Sequence, residues 1–316
     1  MVRHDVRVSV IAASDVSMVF GTHRALDSLT LEVPPGVTGL VGANGAGKTT
    51  LMSIVLGLRA PTNGSVSVLG LDPLRQGAQL RSMVGYGPER NVFPDDMPAS
   101  DFVKHLAEVR GMPRSEARTR ASDALWLVGL GEERFRALGT MSTGQRQRVK
   151  LAQAIAADPS LVLLDEPTDG LDPVQRDEML NLIRQISSEY QIDVMLSSHL
   201  LEEVERICDN VVALDAGKLI AQGRLADLVG DVEGITLELA EIDDVPGSID
   251  AVAARLRAAG LTVAHEEGLA RMEVLGASSD DIADAVRDAV ADSHARVRRI
   301  EQRRRKLEDL FEAAEA

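Results

Sequence analysis

The chain has 316 residues, 45% of them hydrophobic, enough for a substantial buried core and for two domains. Its 49 acidic residues against 34 basic ones leave a formal charge of −15, which disfavours sequence-independent binding to nucleic acid. The lone Cys208 excludes an intrachain disulfide and suits a reducing compartment, and the six histidines lack the spacing of a zinc or iron site.

The first segment, "MVRHDVRVSVIAASDV", alternates as a strand does and has no continuous apolar signal core. No apolar run approaches the ~18 residues that span a bilayer, so a membrane connection would run through a partner. "RVSVIAASDVSMVF" and "SLTLEV" predict antiparallel strands, and "GVTGLVG" predicts a short buried strand that enters a glycine loop. That loop, "GANGAGKT" from Gly42 to Thr49, fits G-x-x-x-x-G-K-[ST] and leads into the helical pattern "TTLMSIVLGL". Its glycines let backbone N–H groups close around phosphates, Lys48 can reach the β and γ groups, and the Thr49 hydroxyl can ligate Mg2+. An incidental glycine turn is the competing reading, and the flanking strand and helix weigh against it.

A helical period then runs from "PASDFVKHLAEVRGM" through "SEARTRASDALWLVGL" to "QRQRVKLAQAIAA", which predicts a helical insertion over about residues 88–157. Within it Ser142 is a good N-cap, and Thr143 and Gly144 leave the first-turn N–H groups uncovered. Such a start is either an ordinary capped helix or an anion site.

"LVLLDEP" ends a buried strand with Asp165 and Glu166 at the carboxyl edge of a sheet, where α/β ligands bind. A carboxylate beside Mg2+ and a second one that orients water are what nucleotide hydrolysis requires. The strands "SLVLLDE", "DVMLSSH" and "NVVALDAGKLI" alternate with the helical patterns "PVQRDEMLNLIRQISSEY" and "LLEEVERIC". This alternation predicts an α/β fold, a parallel sheet with helices on both faces.

Glycine and acidic residues interrupt the pattern near Asp231, dividing a domain over 1–230 from a small α+β domain over 231–316. The second holds the strand patterns "GITLELAEI", "LTVAHEE", "LARMEVLG" and "ARVRRIE", interleaved with the helices "DAVAARLRAAG" and "DDIADAVRDAV". The cationic run Arg296–Lys306 is a solvated face before it is a docking patch. Leu307, Leu310, Phe311 and Ala314 share one face of a terminal helix. There is no internal duplication and no low-complexity segment.

With these motifs in order, the chain resembles the ATP-binding subunits of ABC transporters over about residues 6–228. "GANGAGKT" looks like Walker A, and the resemblance implies that Gly42, Asn44, Gly45, Ala46, Gly47, Lys48, Thr49 and the following Thr50 hold phosphate. "MSTGQ" looks like the signature, although Thr143 stands where glycine is commonest. "LVLLDE" looks like Walker B, "GLDP" with Asp172 like the D-loop, and "SSH" with His199 like the switch histidine. Phe20 in "VFG" stands where the family stacks an aromatic ring on adenine. Against these stand plainer readings: a locally satisfied strand-end residue for His199 and plain core for Phe20.

In "VGYGPER" the glutamine expected of the Q-loop is Glu89, which would add negative charge near an anionic nucleotide while still offering an oxygen to Mg2+. Ordinary loop surface is the alternative for this residue. The resemblance implies a P-loop ATPase core with an antiparallel β layer and a helical insertion, and ATP and Mg2+ as cofactors. It also implies a head-to-tail homodimer in which Ser142, Gly144 and Gln145 face the neighbour's nucleotide. Lys48 would hold phosphate, Thr49, Asp165 and Glu89 would ligate Mg2+, Glu166 would activate water, and His199 would sense the γ-phosphate.

The tail "KLEDLFEAA" resembles the end of ATPase subunits from bacterial exporters whose membrane domain is a separate polypeptide, though a plain packing helix has the same stripe. The expected role is thus an exporter ATPase in the cytoplasm, peripheral on the inner face of the membrane, docked on an integral membrane permease. The rival is a soluble ABC ATPase acting on ribosomes or DNA. A single cassette, the lack of sustained heptads between Lys48 and Ser142, and the acidic charge all argue against it.

Overall fold

The computed structural model describes residues 9–90, 92–240, 248–265, 271–275, 279–293, 295–304 and 306–315. β1 (Ile11–Phe20) and β2 (His23–Val33) form an antiparallel hairpin whose last pair is Phe20 with His23. β3 (Val37–Val41) is buried throughout and ends at the glycine loop, from which α1 (Lys48–Val55) departs. β4 (Asn63–Val68) pairs antiparallel with β1 and completes a three-stranded layer in the order β2-β1-β4. Its sequence, "NGSVSV", carries too little apolar content to stand out, and its first three residues are exposed. α2 (Gly77–Met83) leads into the short β5 (Val84–Gly87).

The helical stretch holds α3 (Ala99–Val109), α4 (Arg114–Leu127), two 3-10 turns at Gly131–Phe135 and Leu138–Thr140, and α5 (Thr143–Ile155). β6 (Leu161–Asp165), α6 (Pro173–Tyr190), β7 (Asp193–Ser198), α7 (Leu201–Ile207), β8 (Asn210–Asp215) and β9 (Lys218–Arg224) follow. The second sheet runs β5-β6-β7-β3-β8-β9 and is parallel up to β8.

β9 returns antiparallel to β8, so the expected single strand "NVVALDAGKLI" is a hairpin. The turn residues Ala216 and Gly217 have φ of 43° and 79°. Two positive φ values in a row are what a tight two-residue hairpin turn demands. The apolar run on both sides hid this break.

One core lies between the antiparallel layer, α1 and the parallel sheet; Leu26, Leu29, Leu31, Leu40, Leu51, Met52 and Leu163 are among its fully buried members. Continuous apolar strands such as β3 and β6 fit a sheet covered on both faces. The fold is α/β, a parallel sheet joined to an antiparallel β layer.

By internal contacts the chain divides into a larger unit that ends at Leu225, with the last residues from Leu310 grouped with it, and a smaller unit, Ala226–Asp309. The smaller unit opens with α8 (Leu225–Leu228) and β10 (Asp231–Ala240), then α9 (Ser248–Ala258), β11 (Thr262–His265), β12 (Arg271–Leu275), α10 (Ser279–Ser293) and β13 (Arg296–Arg304). Its antiparallel sheet runs β11-β12-β10-β13, the split β-α-β arrangement. Leu237, Leu239, Val252, Leu256, Val274 and Ile282 form its separate core. The chain closes with α11 (Leu307–Glu315). Among the described residues no helix is long and apolar enough to cross a membrane.

Candidate nucleotide site

The glycine loop between β3 and α1 takes its shape from residues without side chains. Gly42, Gly45 and Gly47 have φ of 153°, 90° and 104°. A Cβ on Gly47 would stand 2.6 Å from Leu26 Cδ2 and 2.8 Å from the Ala25 carbonyl, so a larger residue would push the loop off β2. A Cβ on Gly45 would meet no protein atom and would enter the cleft that Gly45 lines.

This cleft has a volume of about 500 Å3, in the range of small-molecule sites. It is lined by Phe20, His23, Ala25, Asn44, Gly45, Gly47, Lys48, Thr49, Thr50, Glu89, Glu166, Asp169 and His199. Parts of the antiparallel layer, the glycine loop, and the ends of β5, β6 and β7 thus converge at the carboxyl edge of the parallel sheet.

Glu166 is the hub. β6 ends at Asp165, and Glu166 takes φ of 48°, a left-handed backbone uncommon for a non-glycine residue. Its N–H donates to Ser197 Oγ at 2.9 Å, which fixes the turn. Lys48 Nζ lies 3.5 Å from Glu166 Oε1, and His199 Nδ1 lies 2.8 Å from Oε2. An ionised carboxylate can only accept, so the Nδ1–H tautomer is the one that completes this bond. Lys48 also donates to the carbonyls of Gly42 at 2.6 Å and Ala43 at 3.3 Å, which aligns its ammonium with the loop. Three partners thus hold Glu166 in one orientation, with its carboxylate toward the cleft.

Asp165 is buried, does not line the cleft, and accepts the Ser197 hydroxyl at Oδ1, 2.6 Å away. Gly42 and Ala46 do not line the cleft either. Phe20 is 39% exposed, which removes the plain-core reading, and the Arg59 guanidinium stands 5.2 Å from its ring centroid. Glu89 is exposed and lines the cleft, with its carbonyl accepting from Lys150 at 3.2 Å. The adjacent Tyr86 hydroxyl is pushed up to about 12, first by burial and then by Asp165 and Glu89.

The signature residues stand apart. Ser142 caps α5 in a full capping box: its Oγ accepts from the Gln145 N–H at 3.2 Å and its own N–H donates to Gln145 Oε1 at 3.0 Å. Ser142, Gly144 and Gln145 do not line the cleft. Asp172 likewise lies outside it and caps α6 by accepting from the Gln175 N–H at 2.8 Å. α5 and α6 meet closely, for a Cβ on Gly144 would stand 3.0 Å from Gln175 Oε1.

Three lining residues escaped sequence reasoning: Ala25, a small residue of β2 beside the glycine loop, and the two polar ones His23 and Asp169. His23 faces Phe20 across the first hairpin turn, a signal available from the three-residue spacing once the turn is recognised. Asp169 follows Glu166 by three residues in "DEPTDG", where the acidic pair before it drew the attention.

Mg2+ prefers a few hard oxygen ligands supplemented by substrate phosphates, and the Thr49 hydroxyl and the carboxylates of Asp165 and Glu89 are of that type. Among the described residues no three His, Cys, Asp or Glu side chains group into a metal cage. Thr49 and Glu89, which line the cleft, are oxygen donors that suit an ion carried by a nucleotide's phosphates.

Fold and site together define a nucleotide-binding P-loop cassette. Residues 26–169 match the ABC transporter family. The ABC transporter ATP-binding protein NatA of Bacillus subtilis (strain 168) is 34% identical over 208 residues, which is 65% of this chain and 84% of NatA. The methionine import ATP-binding protein MetN of Mesorhizobium japonicum is 32% identical over 313 residues, 95% of this chain and 84% of MetN. The solved structure of cbiO1 from Clostridium perfringens, described as part of the transporter complex cbiONQ, superposes with a TM-score of 0.63 at 27% identity, covering 70% of this chain and 90% of that one. The chain belongs to the ABC transporter family of ATP-binding, ATP-hydrolysing subunits.

Proposed function

We propose that the chain is the ATP-hydrolysing subunit of an exporter, working as a head-to-tail homodimer beneath a separate integral membrane permease on the cytoplasmic face. The observation that carries the dimer is the division of its motifs. Lys48, Glu166 and His199 meet in one cleft, while Ser142, Gly144 and Gln145 form an anion-ready helix start that stays off it. A second copy supplies that helix start in turn.

In this reading Lys48 and the loop N–H groups bind the phosphates, and Phe20 offers its ring to the base. Glu166 takes a proton from water as the water oxygen bonds to the γ-phosphorus and the bond to the bridging oxygen breaks, releasing ADP and phosphate. Nδ1–H of His199 holds the Glu166 carboxylate in place for this step. Thr49 and Glu89, which line the cleft, would hold Mg2+, which when bound neutralises charge on the β- and γ-phosphates; Asp165, off the cleft and bonded to Ser197, stands behind them.

A groove of about 560 Å3 suits the permease. It is lined by Leu56, Leu58, Val84, Tyr86, Leu106 and Val109 among others, and Leu58 and Val109 are 63% and 69% exposed. Its apolar lining fits a short helix of a membrane subunit, and it abuts the Glu89 loop through Tyr86 and Pro88.

Export rests on the exporter-like tail "KLEDLFEAA"; MetN, similar over almost the whole chain, is by its name an import protein. Direction is read with inside-out membrane vesicles carrying the complex, where added ATP reaches the nucleotide face. ATP-dependent accumulation of members of a labelled compound panel is the expected result. ATP-dependent loss from preloaded vesicles would instead mean import.

A further inference from the structure

Glu203 is a buried carboxylate that does not line the cleft. It belongs to α7 and is only 3% exposed. Its Oε2 accepts the hydroxyls of Thr168 and Ser198, each at 2.8 Å, and its Oε1 lies 3.2 Å from Arg176 Nε on α6. Thr168 and Ser198 are buried as well. Thr168 sits between Glu166 and Asp169, the two acidic residues after β6 that line the cleft. Ser198 ends β7 immediately before His199, and its Oγ accepts the Leu200 N–H at 3.0 Å, so its bonds hold the chain on both sides of the histidine. Buried polar groups persist only where their hydrogen bonds are made, and bonds to an ionised acceptor are the strong ones.

We propose that Glu203 is a positioning residue for hydrolysis: by holding Thr168 and Ser198 on one oxygen, it sets the spacing of the two loops whose Glu166 and His199 meet at 2.8 Å in the cleft. The proposal rests on the reading of Glu166 as the base that activates water. Leucine at this position fills a similar volume but accepts nothing, so both hydroxyls would lose their shared acceptor and the loops their common tie. Glutamine keeps one oxygen for the two hydroxyls. The phosphates are held by Lys48 and the glycine loop, so the effect falls on the chemical step and spares binding.

The test is a double-substitution cycle on the full chain: wild type, Glu203→Leu, Glu166→Gln, and both together, with Glu203→Gln as the conservative variant. Phosphate release against ATP concentration gives kcat and KM for each chain that a cooperative melt shows to be folded. Glu203→Leu lowers kcat roughly tenfold and leaves KM within about twofold, Glu203→Gln keeps at least about half of kcat, and in the Glu166→Gln background Glu203→Leu costs less than about threefold. Should Glu203→Leu fail to fold, Thr168→Val, which deletes one hydroxyl, replaces it in the cycle, with a loss of about threefold beside Glu166 and less than about 1.5-fold in the Glu166→Gln background. Equal losses in the two backgrounds, a folded Glu203→Leu chain with unchanged kcat, a Glu203→Gln chain as slow as Glu203→Leu, or failure of Glu203→Leu and Thr168→Val alike to fold overturns the proposal, because a residue that serves the fold alone would not sense whether Glu166 can take a proton. Near-normal turnover of Glu166→Gln by itself would remove the base, and the proposal with it; that single variant tells the two failures apart.

Discussion

At the scale of single residues, the proposed hydrolytic chemistry turns on Glu166. Its carboxylate is bracketed by the Lys48 ammonium and the His199 ring, and its backbone is held left-handed by Ser197. Glutamine keeps the shape and can still accept from His199, but it cannot take a proton from water. Glu166→Gln is therefore expected to bind ATP and to release phosphate at least ~100-fold more slowly, the order of a general-base contribution. Near-normal steady-state release would remove Glu166 from that role. That Lys48 and Glu166 meet in one cleft was legible because the glycine-loop motif and the acidic strand end each set a residue type at a fixed distance from a strand. His23 and Asp169 were not, because cleft walls impose no such type.

Among elements, the pairing of α5 with β5 carries the link between helix start and cleft. Gly85 sits in β5 where a Cβ would come 2.1 Å from the Ala154 carbonyl of α5. Since that neighbour is backbone, Gly85→Ala must push helix and strand apart, at a cost of about 1–3 kcal/mol. A lowered Tm with reduced turnover is expected in melts and phosphate-release assays; an unchanged Tm would mean that α5 does not bear on β5. Elements with strong apolar patterning, such as β3, β6 and α6, were readable from sequence because burial on a sheet or helix face imposes a period. β4 was not, its serines and exposed start giving no period, and the β8–β9 turn was concealed inside an apolar run. The Lys150–Glu89 contact joins residues 61 positions apart, and no local pattern announces it.

At the scale of the whole molecule, the motifs of one chain fall in two separate places. The cleft holds the phosphate loop and Glu166, and the capped start of α5 lies outside it. If two chains complete each other, Lys48→Ala and Ser142→Arg homodimers should each be nearly inactive, since each carries one fault in both sites. In a mixed dimer one site collects both faults and the other is intact. The most direct measurement is phosphate release from an equimolar mixture of the two variants, each first shown by a cooperative melt to be folded. Activity should return to about a quarter of the wild-type level, because half of the dimers are mixed and each has one intact site. A Ser142→Arg chain that keeps full activity at concentrations where only monomer exists would contradict the shared site, leaving Ser142 as the cap of a helix and no more.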